Sequence, residues 1–122
     1  MRLADFYREH FRICDEALLG EILKVSRVRT LAAGEILCKQ GQVPMQLYLL
    51  IQGVIRGFLL NINGKDITDC IVFQAGDAAM PDGEFFQPAS INIEALEESQ
   101  IVCIDIGEVC RLMEIYPELI QV

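Results

Sequence analysis

Few side chains in this chain of 122 residues could do chemistry, and their spacing removes most of the options. His10 is the lone histidine and falls on a predicted helix, so no histidine set exists to hold a catalytic metal. Nothing in the order of Ser, His and Asp suggests a nucleophilic triad. Gly64-Lys65 lacks both the spaced upstream glycine and the following Ser or Thr of a phosphate loop, and reads as a hairpin turn. The five cysteines, at 14, 38, 70, 103 and 110, are odd in number and contain no CxxC pair. Most sit in apolar runs, which predicts reduced thiols packed as small hydrophobes rather than a disulfide framework or a redox pair. No catalytic residue, metal site or cofactor is expected. Between Met80 and Ser90, the residues Gly83, Glu84, Phe85, Phe86 and Ser90 carry a carboxylate, a hydroxyl and an apolar surface. Arg56 is the candidate cation, as a ligand contact or as half of an ion pair.

Charge sharpens this picture. The formal net charge is −8, so the segment has no basic face for nucleic acid. Nine of the ten Lys and Arg residues lie at or before Lys65, and the tenth is Arg111. From Asp66 to Cys110 every charged side chain is acidic. No apolar run approaches the roughly 18 to 20 residues of a membrane span, and the first residues lack the apolar core of a signal peptide. A cytoplasmic protein without a membrane partner is predicted.

These residues need a scaffold, and hydrophobic periodicity supplies one. Residues 1–25 read as a helical segment, with Phe11, Cys14, Leu18, Ile22 and Val25 at spacings of three and four. Gly20 weakens a single unbroken helix, and Asp15 is placed to cap a second piece. From 26 to 106 the period shortens. Strands are expected at 27–31, 35–39, 46–52, 54–61, 66–73, 91–96 and 100–106, each ended by Gly, Pro or Asn-Gly. Asn63-Gly64 is the strongest hairpin signal, both residues tolerating positive φ. Short strands at this spacing predict an antiparallel, mainly β barrel or roll. Residues 107–122 turn helical again, Val109, Leu112, Met113 and Tyr116 sharing a face and Asp105 placed to cap it. Pro117 suits the first turn of a further helix, and only five residues follow it. The chain is therefore expected to stop inside an element, as a fragment would.

Ala33-Gly34-Glu35-Ile36-Leu37, Gln40-Gly41-Gln42 and Leu47-Tyr48-Leu49-Leu50-Ile51-Gln52-Gly53-Val54-Ile55-Arg56 resemble the cyclic-nucleotide-binding domain of the Crp/Fnr family of bacterial transcription regulators. The resemblance continues through Asn63-Gly64-Lys65, Gly76-Asp77, Arg111-Leu112-Met113 and Pro117-Glu118-Leu119, covering nearly the whole chain. It implies a double-stranded β-helix, a jelly-roll-like roll of eight strands with helices before and after. It also implies a homodimer in the full-length protein, built on a long helix absent here, and DNA binding through a C-terminal winged helix-turn-helix not in this chain.

The resemblance also implies a phosphate-binding cassette. In the family, a Gly-Glu pair opens a short helix whose N–H groups face the cyclic phosphate, and an Arg followed by Ser or Thr neutralises it. Gly83-Glu84 matches the pair, but Ala89-Ser90 stands where Arg-Ser would be. Only about half the usual gap separates Glu84 from Ala89, and Pro88 restricts any helix there. Iron–sulfur sensing, which occurs in the family, would need several closely spaced N-terminal cysteines, and only Cys14 lies there. The expectation is an effector-sensing domain that does not hold cyclic AMP and takes a small neutral or apolar effector. Phe85 and Phe86, with Met80 and Pro81, would then line a pocket, or alternatively fold inward to fill it. The other reading is a ligand-free roll serving dimerisation or protein contact.

Overall fold

The computed structural model describes residues 2–81 and 85–117. Helix α1 (Leu3–Phe11) ends where Arg12 takes φ 52°, and α2 (Glu16–Val25) begins afresh. Asp15 caps α2, its Oδ1 accepting from Ala17 N at 2.8 Å and Leu18 N at 3.2 Å. The predicted break is therefore real, and it comes before Gly20, which lies inside α2. Strands follow as β1 (Ser26–Leu31), β2 (Ile36–Cys38), β3 (Gln46–Gln52), β4 (Ile55–Leu60), β5 (Asp66–Val72), β6 (Asn92–Ala95) and β7 (Ser99–Asp105), with α3 (Ile106–Ile115) closing the order.

The strands form two antiparallel sheets, β1-β7-β3 and β2-β6-β4-β5. Seven strands are present among the described residues where the resemblance implied eight. A single bridge between Leu49 and Ala78 stands near the place of another strand. Strand β7 explains why the fold has two cores. It is central in its sheet, so both faces are covered and its sequence is a continuous apolar run, Ile101-Val102-Cys103-Ile104. Ile101 and Cys103 point between the sheets, into a core with Leu31, Leu50, Ile55, Ile91 and Ile93. Val102 and Ile104 face the helices, into a core with Phe6, Tyr7, Leu18, Ile22 and Leu112. Fully burying one such side chain stabilises by about 1.5–3 kcal/mol, so β7 anchors both layers.

Local chemistry departs from the sequence expectations at three places. The β4–β5 turn is pinned by Asn61, whose Oδ1 accepts from Asn63 N at 2.9 Å and Lys65 N at 2.8 Å. Gly64 alone takes positive φ, at 78°, so Asn63 contributes no left-handed residue. Asp105 occupies the N-cap position of α3, yet its carboxylate makes no cap bond and accepts instead from Gln46 Nε2 at 3.1 Å. Cross-strand pairing with the first residue of β3 outcompetes the cap. Of the cysteines, Cys38 and Cys103 are buried, but Cys14 and Cys70 are exposed, the first on the α1–α2 link and the second on the edge strand β5. The helix expected from Pro117 onward lies outside the described residues.

Candidate functional site

The predicted ligand segment joins the Leu49–Ala78 bridge to β6. Gly83 and Glu84 lie outside the described residues. Phe85 is half-buried and packs on the helix-side core, whereas Phe86 is 51% exposed with φ 68°. A bulky residue in the left-handed region costs about 1–2 kcal/mol. Ser90 is exposed. Ala89, which the resemblance sets against the family arginine, is buried in the inter-sheet core. Its backbone is clamped to the β2–β3 turn, with Ala89 N donating to Gln42 O at 2.7 Å and Gly41 N donating to Ala89 O at 2.8 Å. Gly41 can serve this clamp because it holds φ 90°. Asn92 fastens the same corner, its Oδ1 accepting from Gln40 N at 2.9 Å and its Nδ2 donating to Phe58 O at 3.1 Å.

Arg56 stands apart from this segment. Its flanking residues Ile55 and Gly57 are buried, and a Cβ at Gly57 would lie 2.5 Å from Ile91 Cδ1, so the odd-numbered side of β4 faces inward and Arg56 faces out. There the guanidinium donates to both Asp66 oxygens at 2.7 Å, to Glu94 Oε1 at 2.9 Å and to Thr68 Oγ1 at 3.0 Å, with Phe58 beneath it at 4.1 Å. Hydrogen bonds to Asp66 and then Glu94 raise its already high pKa, and the same guanidinium holds the Asp66 carboxyl below its ordinary value. Arg56 thus straps β5, β4 and β6 together, with four of its five N–H donors given to protein groups. It is not brought together with Phe85, Phe86 or Ser90.

Among the described residues, the core between the sheets contains no Lys or Arg, and its buried polar side chain is Ser99. Ser99 Oγ accepts from Val54 N at 3.2 Å and donates to Glu97 O at 2.9 Å, which leaves it satisfied. No group of three His, Cys, Asp or Glu side chains converges as a metal site among those residues, and no helix is long and apolar enough to cross a membrane. A pocket of about 240 Å³ lies beside the segment, walled by Pro44, Leu47, Met80, Phe85, Phe86 and Ile106. Phe85 and Phe86 are among the residues that line it.

A second and larger pocket escaped the sequence reading. It occupies about 380 Å³ in the seam between the helices and the β1-β7-β3 sheet, bounded by Tyr7, Phe11, Leu47, Leu49, Val109 and Met113. Each of these residues looks like ordinary helix or strand core when taken singly. The void depends on how α1, β3 and α3 meet, and no local pattern encodes that.

The chain matches the cyclic nucleotide-binding domain family over residues 28–116. No curated protein sequence matches it. Among solved structures, it is similar to the sensor domain of the transcriptional regulator DNR from Pseudomonas aeruginosa, at TM-score 0.80 and 17% identity over 98% of this chain and 81% of that one. It is also similar to the N-terminal domain of a transcriptional regulator from Streptomyces coelicolor, at TM-score 0.72 and 19% identity, covering 97% and 82%. The Thermus thermophilus catabolite activator protein gives TM-score 0.73 and 19% identity over 91% of this chain. The chain spans about half of that protein, 52% of its length. At these identities the likeness concerns the fold.

Proposed function

The chain belongs to the cyclic nucleotide-binding domain family, and from that premise we propose that it is the effector-sensing domain of a transcription regulator whose cassette no longer holds a cyclic phosphate. The observation that carries this reading is Ala89, a buried, uncharged residue clamped to the Gly41–Gln42 turn where the family's arginine would neutralise the ligand. Leaving a phosphate half-buried without a cation costs several kcal/mol. A helix N-terminus returns only about 0.3–1 kcal/mol, and up to about 2 when partly buried. Arg56, the nearest alternative cation on β4, is committed to Asp66 and Glu94 on the outer face. The role is regulatory, not catalytic.

The open 240 Å³ pocket beside Phe85 and Phe86 favours a ligand-responsive domain over a ligand-free scaffold. In a full-length homodimer, an effector acts by binding one arrangement of α3 against the roll more tightly than another, and a C-terminal domain reads DNA. Thermal melting with cyclic AMP and cyclic GMP tests the cassette. A ligand present at about 100 times its dissociation constant stabilises by about 2.7 kcal/mol. At millimolar nucleotide no rise in melting temperature is expected, and a rise of several degrees would overturn the proposal.

A further inference from the structure

We infer that the 380 Å³ pocket in the helix–sheet seam is a binding site for a small, neutral, apolar molecule. The inference rests on the sensor reading only for its regulatory meaning, since binding itself can be tested alone. The volume falls in the range of about 300–1,000 Å³ that small-molecule sites occupy. Seven of its walls are buried core residues, among them Tyr7, Leu49, Ile104, Val109 and Leu112. Several polar groups on its walls are already bonded. The Tyr7 hydroxyl is bonded to Ser26 Oγ at 2.5 Å, so its ring offers the pocket carbon. On the opposite wall, Gly76 N donates to Leu50 O at 2.8 Å, Asp77 O accepts from Leu50 N at 2.9 Å, and Asp77 N donates to Gln74 O at 3.2 Å.

Water is a poor occupant of such a space. At about 30 Å³ each, roughly a dozen waters would fit, and those against the walls give up hydrogen bonds that these apolar side chains do not replace. Charge then narrows the ligand class. Among the described residues no Lys or Arg lines the pocket, and the charged side chain at its rim is the exposed Asp77. An anionic amphiphile would meet that carboxylate in a chain of net charge −8. A neutral apolar molecule meets no such penalty. The site also has a direct outlet, because Val109, Leu112 and Met113 bring three side chains of α3 to it, so occupancy bears on the position of that helix.

Fluorescence titration of the chain with Nile red, a neutral apolar probe, tests this assignment. Saturable one-to-one binding with a blue-shifted emission is expected. Filling the pocket from α3 with Met113→Trp weakens the probe by about tenfold or more, as overpacking of a site does. Ile62→Ala, fully exposed on the β4–β5 turn, leaves it unchanged. Far-UV circular dichroism checks folding, and Val109→Phe serves as a second filling variant. Absence of saturable binding, or equal binding by a folded filling variant, overturns the assignment. A parallel cyclic AMP titration separates the two claims. Nile red failure leaves the cassette reading intact, whereas micromolar cyclic AMP binding with Nile red still bound refutes the cassette reading alone.

Discussion

Replacing Tyr7 by Phe removes one oxygen atom from the helix–sheet seam, and its consequence for stability depends on pH. The phenol is 1% exposed and bonds Ser26 Oγ at 2.5 Å, while Ser26 donates onward to Ile22 O at 2.5 Å. At neutral pH the lost hydrogen bond costs about 0.5–1.5 kcal/mol. Burial, partly offset by the Ser26 bond, pushes the Tyr7 pKa up from 10.0 to about 12. The fold therefore prefers the neutral phenol. Its contribution is complete below pH 10 and is lost as pH rises through about 12. At about 1.36 kcal/mol per pH unit, the loss across that window is about 2.7 kcal/mol. Urea melts of the parent and Tyr7→Phe at intervals from pH 8 to about 12 measure it, because the remaining titrating groups act in both proteins and cancel in the difference. The parent's stability should fall to that of the variant and then below it as pH rises from 10 to about 12. Equal alkaline slopes in the two proteins would refute the burial and orientation assigned to Tyr7, and with them one wall of the seam pocket.

Two substitutions test the elements that carry the roll. Gly53→Ala should destabilise by about 2–5 kcal/mol in thermal or urea melts, combining backbone strain with overpacking. Gly53 sits at φ 119°, and an added Cβ would lie 2.1 Å from Ser99 Oγ and 2.7 Å from Ser99 Cα. Adding Ser99→Ala should not rescue it, since the Cα clash persists; full rescue would show the corner to be more pliant than its geometry implies. Asp15→Ala removes the acceptor for Ala17 N and Leu18 N and should cost about 1 kcal/mol, with Asp15→Asn closer to the parent. An unchanged melt for Asp15→Ala would mean that α2 is held by packing alone.

Much of the fold was legible because turn chemistry punctuates the sequence. Every expected strand has a counterpart within a residue or two, and Asp15 caps α2 as its position before Glu16 suggested. Errors arose where a side chain had two partners to choose from. Asp105 could cap α3 or pair with Gln46, and only the β3–β7 register decides between them. Asn63 could have taken positive φ, but Asn61 closes the turn and leaves that role to Gly64. Cys70 lies in an apolar run yet is exposed, because β5 is a sheet edge and an edge cannot be recognised from one strand alone. The site was half legible. The gap in positive charge from Asp66 to Cys110 is plain in the sequence, and Ala89 gives it a structural location in the inter-sheet core. The ion-pair role of Arg56 needed the positions of Asp66 and Glu94 across two neighbouring strands. The seam pocket needed three elements far apart in sequence to meet.

The central claim is that this member of a cyclic nucleotide-binding family has lost its grip on the phosphate. Isothermal titration calorimetry of the chain with cyclic AMP, and separately with cyclic GMP, measures that grip most directly. The account predicts no saturable heat up to millimolar nucleotide. A micromolar dissociation constant for either nucleotide, with one-to-one stoichiometry, would contradict it.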